Sequence, residues 1–382
     1  MTNTTNRWTI KRLDQIATVI MGQSPSSSSY NTQGTGVPFL QGMPPVIDSM
    51  GAAVPKQWTT EPTRVVEAGT ALMTVRAPVG ELFTTNNSVC LGRGLAGIKA
   101  NNDVSQAYLN YYLQFSKKQL DTFSQGSTFT AINSGDLKGI QVALPSYQQQ
   151  KYVGSVLNII DQDIAKTYQI IQKAKVLKQG FMRELLTKGI GHKKFKKTKI
   201  GEIPEEWELY SLGDLCNFIT GKLNSNQAVI DGKYPFFTCA QETFAIDRYS
   251  FDCEAVLLAG NNASGVYSVK YYKGKFNAYQ RTYIITIKDT SLLDYFFLKE
   301  ILNIRLNMLK DFSVGTNTKF LTLKLLLGIK VLLPPVKEQV KISNILMSLE
   351  SKKHMEMQKR NLLLNLKKGL MQDIFNQKVQ IK

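Results

Sequence analysis

The chain of 382 residues is poor in the side chains that build metal centres. It has two histidines, His192 and His354, and four cysteines, none of which forms a CxxC pair. Because structural zinc sites need closely spaced cysteine or histidine ligands, a zinc cluster is not expected. Thiols without a pairing pattern are typical of reduced cysteines in the cytosol. The two histidines lie in basic segments and are expected to be solvated.

Long apolar runs are also missing. No stretch approaches the roughly 18 consecutive apolar residues that mark a membrane-spanning helix. The opening segment MTNTTNRWTIKR lacks the apolar region of a secretory signal, so none is expected. Hydrophobic residues still make up 43% of the chain and aromatic residues 10%, which is enough for folded cores. The length favours two or three domains.

The motifs of several enzyme classes are absent. A DNA methyltransferase holds its flipped base with an Asn/Asp-Pro-Pro-aromatic tetrad, and the Pro-Pro pairs at 43–46 and 333–336 lack both flanking residues. No GxxxxGK[ST] phosphate loop and no HExxH pair occur, so neither an NTP-driven motor nor a zinc hydrolase is expected. A metal-dependent nuclease needs only scattered acidic and lysine residues, and it therefore remains an alternative.

Acidic residues are few relative to basic ones. The chain has 47 Lys and Arg against 29 Asp and Glu, a net charge of +18 with a pI near 9.5. This balance indicates a polyanionic partner: nucleic acid first, an acidic membrane or protein second. Residues 147–200 carry a net +9 and residues 336–382 a net +6, so two segments hold 15 of the 18 charges.

What is present is a repeat. Residues 126–186 align with 315–375 at a constant offset of 189 without a gap. RWTIKRLDQIATVIMGQ, which starts at Arg7, also resembles EWELYSLGDLCNFITGK, which starts at Glu206, at an offset of 199. Trp8 falls on Trp207 and Gly22 on Gly221. Between these matched ends the halves differ almost completely, which suggests one frame with two different interiors.

Two long helices are predicted after the LPS and LPP motifs at 144–146 and 333–335, because each following segment runs about 40 residues without proline and has apolar residues three and four apart. Gly189 and Gly191 are expected to end the first. The apolar positions are Val153, Val156, Leu157, Ile160, Ile164, Ile171, Ala174, Leu177, Phe181 and Leu185, then Ile342, Ile345, Leu346, Leu349, Leu362, Leu363, Leu366, Leu370 and Ile374. The matched phase favours packing of one helix on the other. Packing of each on its own domain is the alternative.

The segments before the long helices are rich in predicted strands. Residues 69–83 and 254–276 are expected to form hairpins, 281–288 a strand, and 103–120 and 291–309 helices at equivalent places. The glycines of LGRGLAG at 91–97 are expected to form a turn. Both halves are therefore α+β modules followed by a helical arm. Residues 191–206 are predicted to be an exposed linker, in which KKFKK could also contact a phosphate backbone.

This arrangement resembles the specificity subunit of type I restriction-modification enzymes. The resemblance is carried by Trp8, Leu13 and Ile16, by MGQSPSSSSYNTQGTGVPFLQG at 21–42, by Gly-Ser/Thr turns at 126–128 and 315–318, by the GIxVxLP strand, and by a long helix ending in LLTKGI. GEIPEEWELYSLGDL at 201–215 is similar to the start of that family's second target recognition domain. The resemblance covers residues 1–380. The second half has GKLNSNQ at 221–227 where the first has GQSPSS, which weakens the transfer of loop roles between halves.

The resemblance implies an α+β fold in which two globular target recognition domains are separated by two long antiparallel helices that form a coiled coil, with an internal pseudo-twofold repeat. The expected boundaries are recognition domain 1 at 1–145, spacer helix 1 at 146–190, linker at 191–206, recognition domain 2 at 207–334 and spacer helix 2 at 335–380. The helices are expected to set the distance between two half-sites on the DNA.

The implied function is the recognition of a bipartite, asymmetric site on double-stranded DNA, without catalysis by this chain. The expected partners are two methyltransferase subunits and, through the core they form with this chain, restriction/translocase subunits in a prokaryotic cytoplasm, with no membrane. S-adenosylmethionine, ATP and Mg²⁺ are expected only in those partners, and no cofactor in this chain. The alternatives are the recognition part of a single-chain modification or restriction enzyme, and a basic coiled-coil scaffold for protein partners.

Base readout needs amide and guanidinium side chains on loops at groove edges. The DNA-binding candidates of the first module are Gln23, Ser24, Ser26, Tyr30, Asn31, Lys56, Arg64, Arg76 and Arg93. Those of the second module are Lys222, Asn224, Asn226, Gln227, Asn261, Asn262, Lys270, Lys273, Lys275 and Arg281. The lysine-rich helices would add phosphate contacts that do not depend on sequence.

Overall fold

A computed structural model describes residues 8–43, 46–48, 51–117, 131–198, 201–262, 265, 267–312, 315 and 318–381, with the backbone alone for 306–312. The chain divides into two compact units. Unit 1 comprises residues 1–172 and 355–382, and unit 2 comprises residues 173–354. The predicted turn at 126–128, and part of the turn at 315–318, lie outside the described residues.

Unit 1 contains an α+β module built from three sheets. Its strands are β1 (Thr9–Arg12), β2 (Ala17–Met21), β3 (Tyr30–Asn31), β4 (Val37–Leu40), β5 (Gln57–Thr59), β6 (Val65–Val66), β7 (Ala71–Thr74), β8 (Leu82–Phe83), β9 (Val89–Leu91), β10 (Leu95–Ala100) and β11 (Gln141–Leu144). Its helices are α1 (Leu13–Ile16), α2 (Gln106–Phe115), α3 (Ser134–Lys138) and the first part of α4 (Tyr147–Lys188). The sheet orders are β3-β5-β4-β9-β6, β2-β10-β7-β8 and β1-β11. The predicted hairpin at 69–83 is confirmed as the antiparallel pair β7–β8.

Unit 2 contains a module with the same order of elements around a larger sheet. Its strands are β12 (Phe195–Thr198), β13 (Gly201–Pro204), β14 (Glu208–Ser211), β15 (Cys216–Thr220), β16 (Tyr234–Phe237), β17 (Phe244–Ile246), β18 (Phe251–Ala259), β19 (Asn261–Asn262), β20 (Val269–Ala278), β21 (Thr282–Ile287), β22 (Lys319–Phe320) and β23 (Lys330–Leu333). Its helices are α5 (Leu212–Leu215), α6 (Tyr295–Phe312), α7 (Leu323–Leu327) and the first part of α8 (Val336–Phe375). The sheet orders are β15-β21-β18-β20-β16-β17, β14-β23, β12-β13 and β19-β22. The predicted strand at 281–288 and hairpin at 254–276 are confirmed as β21 and as β18 paired with β20.

The predicted repeat is present as a shared frame. In unit 1 the opening strand β1 pairs antiparallel with β11, and in unit 2 β14 pairs in the same way with β23. A buried glutamine then ties each long helix to its module. The side chain of Gln150 donates to Pro145 O (3.0 Å) and accepts from Ser105 N (3.0 Å), while Gln339 donates to Pro334 O (2.8 Å) and accepts from Asp294 N (2.9 Å). Because both amides are buried, these bonds satisfy polar groups that water cannot reach.

The long helices α4 and α8 run antiparallel within each unit. In unit 1 Asp161 contacts Lys367, and further along α4 Tyr168 packs under Arg360. In unit 2 Lys178 contacts Glu350. The contacting residues rise in number along α4 while their partners fall in number along α8, as in an antiparallel pair. Gly189 and Gly191 have φ of 70° and 71°, so they end α4 as predicted.

The predicted apolar stripe is only partly right. Val153, Leu157, Leu185, Ile342 and Leu346 are buried, as expected of a seam. The assignment is wrong for the most exposed of the predicted positions, whose exposed fractions lie between 36 and 70%. These positions are Leu177, Phe181, Ile345, Leu362 and Leu366. These residues lie outside the line of contact between the two helices. A helix with 3.6 residues per turn drifts relative to a fixed three-and-four spacing, so positions on that spacing do not all stay on one face.

A polar network pins each module to both helices, at positions that match at the offset of 189. In unit 1 Lys367 Nζ lies 2.7 Å from Asp161 Oδ1. The other oxygen of that carboxylate, Oδ2, accepts a hydrogen bond from the Tyr111 hydroxyl (2.8 Å). Burial and the neighbouring Asp161 raise the pKa of Tyr111, so its hydroxyl stays a donor.

The equivalent network in unit 2 carries more charge. Lys178 Nζ lies 3.0 Å from Glu350 Oε2 and 3.4 Å from Glu300 Oε2, and Lys299 Nζ lies 3.1 Å from Glu300 Oε1. Burial alone would raise the pKa of Glu350, but the hydrogen bonds from Lys353 and Lys178 outweigh it, and that pKa lies below its usual value. The network of unit 2 therefore holds two carboxylates where that of unit 1 holds one.

The segment predicted to be a linker is structured. Residues 195–198 and 201–204 pair as the antiparallel strands β12 and β13, and Ile203 is buried in the core of unit 2. The expectation of a solvated His192 is also wrong. Its Nε2 lies 2.9 Å from Glu338 Oε1, and the same carboxylate accepts from Ile190 N and from the Trp207 indole. The Glu338 carboxylate thus holds the segment after α4 through three groups, Ile190 N, His192 Nε2 and the Trp207 indole.

Candidate nucleic-acid interface

The site candidates of unit 1 gather where β2 ends beside the turn between β9 and β10. Gly22 N donates to Leu95 O (2.8 Å) and Gln23 N to Leu91 O (2.8 Å). A Cβ on Gly22 would lie 2.1 Å from Gly92 O, so only glycine allows the two backbones to approach this closely. The turn predicted from the glycines of 91–97 is confirmed between β9, which ends at Leu91, and β10, which begins at Leu95.

Five candidates meet at this edge. Arg93 N donates to Ser24 Oγ (3.2 Å), Leu91 N donates to Arg64 O (2.8 Å), and Val75, which precedes Arg76, donates to Gly94 O (2.9 Å). We call these residues edge 1: Gln23, Ser24, Arg64, Arg76 and Arg93. The three arginines are exposed, and none of them forms an ion pair with any other described residue. Edge 1 therefore carries uncompensated positive charge in a planar, hydrogen-bonding form.

Unit 2 builds the same edge from different side chains. Gly221 N donates to Thr282 O (3.2 Å), and a Cβ there would lie 2.0 Å from Ala278 O. Gln280 N donates to Leu223 O (2.9 Å), and its side chain donates to Asn224 Oδ1 (3.1 Å). Gly260 N donates to Arg281 O (2.8 Å), which brings the following Asn261 to the same place. We call these residues edge 2: Lys222, Asn224, Asn261, Gln280 and Arg281.

The strand registers show which positions of the two edges are equivalent. Ala17 of β2 pairs with Ala100 of β10, and Cys216 of β15 pairs with Ile287 of β21. Thr74 of β7 pairs with Leu95, and Ala259 of β18 pairs with Thr282. In this alignment Gln23 matches Lys222, Arg93 matches Gln280, and Arg76 matches Asn261. Arg76 also bridges Ala131 as Asn261 bridges Phe320. One backbone geometry thus presents two different sets of donors and acceptors.

Several other candidates have side chains engaged within their module. The Tyr30 hydroxyl donates to Pro25 O (3.1 Å), and Asn31 closes its own turn through Thr35. Ser26 contacts the hydroxyl of Ser28 (2.7 Å). Lys56 is exposed just before β5, and Asn226 is exposed in the 3₁₀ turn Ser225–Gln227. All of them stay predictions as DNA contacts.

The lysines of β20 are partly committed as well. Lys270 Nζ donates to Ala240 O (3.0 Å) and Glu242 O (2.6 Å), and its burial lowers its pKa. Lys273 pairs with Glu254 (3.0 Å), and Lys275 lies over the Tyr249 ring (4.7 Å). Asn262 pairs with Lys319 in the β19–β22 ladder. Among these, the exposed Lys273 and Lys275 keep the most access to solvent.

Two polar residues that contact the candidates of unit 2 were not predicted. Gln280 is the counterpart of Arg93, and Arg248 Nη2 donates to Gln227 Oε1 (2.9 Å), which holds that candidate amide in place. Gln280 could have been found from the strand alignment of the two halves. Arg248 could not, because the interiors of the modules share no sequence pattern.

No group of three or more His, Cys, Asp or Glu side chains is arranged to hold a metal ion in the described part of the chain. No described helix combines the length and apolar composition needed to cross a membrane.

Comparison with known proteins identifies the same arrangement elsewhere. The family model for the type I restriction modification DNA specificity domain matches twice, at residues 5–176 and 204–365. The chain is 41% identical over 163 residues to a Methanocaldococcus jannaschii protein assigned as the specificity subunit of the type I restriction enzyme MjaX, covering 41% of this chain and 37% of that one. It is 40% identical over 157 residues to the Escherichia coli type I restriction enzyme EcoDI specificity subunit, covering 40% and 34%. The aligned part thus spans little more than a third of either relative.

The fold is similar to that of a solved protein over nearly its whole length. The crystal structure of the type I restriction-modification system S subunit from M. genitalium matches with a TM-score of 0.72 and covers 98% of both chains. At 16% identity, this likeness concerns the fold alone.

Proposed function

The chain belongs to the family of type I restriction modification DNA specificity domains, and on that premise we propose that it is the DNA-recognition subunit of a type I restriction-modification complex. Each recognition domain reads one half of a bipartite, asymmetric site on double-stranded DNA. The observation that carries the proposal is the pair of matched edges, which present Gln23, Arg76 and Arg93 in unit 1 and Lys222, Asn261 and Gln280 in unit 2.

The chemistry of the two edges suits different bases. Arginine makes paired hydrogen bonds to the O6 and N7 of guanine, and glutamine or asparagine to the N6 and N7 of adenine. Edge 1 is rich in guanidinium groups, whereas edge 2 combines the amide of Gln280 with Arg281 and Lys222, and the Oδ1 of its Asn261 is buried. A split site whose halves differ in sequence follows from this difference. Lysines outside the two edges, though not every exposed one, supply phosphate contacts that position the chain.

The chain itself acts without catalysis in this proposal. Methyl transfer with S-adenosylmethionine is the work of methyltransferase partners, and translocation and cleavage with ATP and Mg²⁺ is the work of restriction subunits joined to that core. The complex works in a prokaryotic cytoplasm, where its substrate DNA lies. Nuclease or methyltransferase turnover by the homogeneous purified chain would contradict this division of roles.

Substitutions at matched edge positions should act on one half-site each. Arg93→Gln is expected to weaken binding to the site by about 1–3 kcal/mol and to relax the base preference in the half read by unit 1. Gln280→Ala is expected to relax the other half only. Sequencing of methylated adenines in cells that carry the complex shows the base preference of both half-sites at once.

A matched control is Arg12→Gln, which removes the same charge from a residue already paired with Asp14 at 2.9 Å. It should leave the methylated sequence unchanged. If Arg93→Gln and Gln280→Ala both alter the same half, or neither alters any base preference, the assignment of the edges is wrong.

The exposed apolar residues of the long helices are the proposed docking places of two methyltransferase subunits. Leu177 and Leu366 match at the offset of 189, and their exposed fractions are 51% and 50%. A second exposed apolar residue lies four positions away on each helix: Phe181 beside Leu177, and Leu362 beside Leu366. Residues four apart share one helix face, so each unit has one such patch. The matched leucines, one in each unit, fit two copies of one partner, whereas the second residues are not matched: Phe181 falls on Leu370 and Leu362 on Lys173 at that offset.

Removal of one patch should remove one partner. Leu177→Ser alone, or Leu366→Ser alone, is expected to lower the number of bound methyltransferase subunits from two to one, and the double variant to none. Native mass spectrometry of the co-expressed complex measures this number. Leu323→Ser, an equally apolar and 43% exposed position on α7, should keep both subunits. A full complement on the double variant would rule the patches out.

A further inference from the structure

A basic strand leaves the end of α4 and is held rigidly at both ends. On one side, Glu338 binds Ile190 N (2.8 Å) and His192 Nε2 (2.9 Å). On the other, β12 pairs with β13, whose Ile203 is buried in the core, and Trp207 N donates to Pro204 O (3.1 Å). The described residues of this basic strand are 193–198. Neither edge of the recognition modules includes it.

The strand concentrates charge that nothing nearby neutralises. It contains the four lysines Lys193, Lys194, Lys196 and Lys197, and among the described residues none of them forms an ion pair. Lys193, Lys194 and Lys197 are exposed, as is Phe195, whereas Lys196 is half-buried. Phe195 and Lys197 share one face of β12 and Lys196 lies on the other, because successive side chains of a strand alternate, and Lys193 and Lys194 directly precede the strand.

The acidic residues of the hairpin lie on its other side. Glu202 stands opposite Lys197 in the register, and Glu205 and Glu206 follow β13. Because the lysines belong to the first strand and the glutamates to the second strand and beyond, the hairpin is positive along one edge. Glu202, directly across from Lys197 in the register, is a carboxylate that weakens that edge.

We propose that this basic strand is a second nucleic-acid contact, which binds the sugar-phosphate backbone of duplex DNA without reading its sequence. The inference rests on the proposed function, and it adds a site outside the two recognition edges. Lys193 and Lys194 directly precede β12, and Lys196 and Lys197 belong to it, so four lysines fall within five residues. Phosphates on one DNA strand succeed one another every 3.4 Å or so along the helix axis while winding around it, so lysines this close together can reach several of them.

The composition favours a phosphate backbone over an acidic protein surface. All four cations are lysines, whose compact ammonium groups on flexible stems follow a phosphate row of any sequence. Recognition of protein carboxylates in fixed positions favours the paired donors of arginine, and the strand has none. Binding of an acidic partner is then the outcome that would replace the proposal.

The salt dependence of binding tests the proposal directly. The full-length chain is titrated against a fluorescent duplex of random sequence over a range of salt concentrations. Substitution of Lys193, Lys194 and Lys197 together by glutamine is expected to flatten the slope of log K against log[salt] by about 2.7, since each phosphate contact contributes about 0.9. Glu202→Gln, which removes the facing carboxylate, is expected to strengthen binding at low salt.

A control with the same loss of charge separates contact from overall attraction. Lys11, Lys324 and Lys337 are exposed lysines without an ion pair among the described residues, and their joint substitution by glutamine should leave the slope within one contact of the parent. Equal slopes for the two triple variants would overturn the proposal. So would an unchanged slope together with weaker assembly with partner subunits, which would assign the strand to an acidic protein.

Failure of the proposed function looks different. The Lys193/Lys194/Lys197 variant is expected to methylate the same sequence as the parent, because the recognition edges are intact. A parent chain that binds no DNA at low salt, alone or with its partners, would contradict both the proposed function and this site. A parent that reads its sequence normally, with a slope unaffected by the variant, would contradict this site alone.

Discussion

Replacement of Phe375 by alanine is expected to destabilise unit 1 by about 3–5 kcal/mol, the cost typical of removing a buried aromatic side chain. Phe375 lies in the last turn of α8 and is only 5% exposed. Its ring centroid lies 5.6 Å from that of Tyr108, 5.3 Å from Tyr112 and 5.2 Å from Phe115. All three belong to α2 of the first module. The substitution would leave a cavity among rings that cannot all move to fill it.

The effect should be confined to unit 1. Urea denaturation followed by hydrogen exchange is expected to show early loss of protection in α2 and β10 and little change in β18 and β21. Leu364→Ala removes an apolar side chain from the same helix at a 39% exposed position, and should cost well under 1 kcal/mol. Equal destabilisation by the two variants, or loss of protection in unit 2 first, would contradict the role of Phe375.

This expectation follows from where the end of the chain packs. Met371, Ile374 and Phe375 are all part of the core that also contains Leu13 and Tyr108. Beyond α8, Ile381 O accepts from the Gln149 side chain (2.6 Å). The first recognition module is therefore completed by residues from the far end of the chain, more than 220 positions later. A stop or deletion near the end of α8 should damage the first module before the second.

The frame of the fold could be predicted because local rules agree there. The proline motifs, the helical spacing of Val153 and Leu157, and the capping glycines at 189 and 191 all indicate the same element boundaries. The repeat at an offset of 189 then fixed which elements correspond. The matched burial of Gln150 and Gln339, identical at that offset, follows from the same frame.

The site was harder to predict because it depends on register. A list of polar loop residues included Tyr30 and Lys270, whose polar atoms bind their own module. Gln280 was not among the predicted residues, although its charged neighbour Arg281 was. Only strand pairing shows that Gln280 occupies the position of Arg93, since a shift of one residue along a strand reverses the face. Sequence spacing alone does not contain that information.

The exposure of Leu177 and Leu366 has a similar cause. Both fall on the three-and-four spacing that indicates a buried stripe, yet each helix must also pack on the module of its own unit. The seam consequently follows Ala174 and Leu185 in unit 2, and leaves Leu177 on the outside. Spacing indicates that a helix has an apolar face, but the partners of that face decide which of its residues are covered.

The second large effect is expected at Lys178, because it neutralises two carboxylates. Lys178→Met would leave Glu350 with Lys353 as its one ion-pair partner, and Glu300, whose side chain is 3% exposed, with Lys299 and a hydrogen bond from Asn303 (3.4 Å). Loss of one partner of a buried ion pair costs about 3–5 kcal/mol, and the remaining lysine places this variant near 3. Urea unfolding of the full chain measures the loss, which should appear in unit 2.

The matched position in unit 1 provides the comparison that tests the cause. Lys367→Met removes the equivalent lysine, but Asp161 is 34% exposed and keeps the Tyr111 hydroxyl, so the expected cost is only about 1–2 kcal/mol. If the buried charge of Glu300 is the reason for the difference, Glu300→Gln in the Lys178→Met background should restore most of the lost stability, whereas in the parent it should destabilise. Equal costs for the two lysines, or no rescue by Glu300→Gln, would mean that Lys178 acts through the packing of its aliphatic stem rather than through its charge.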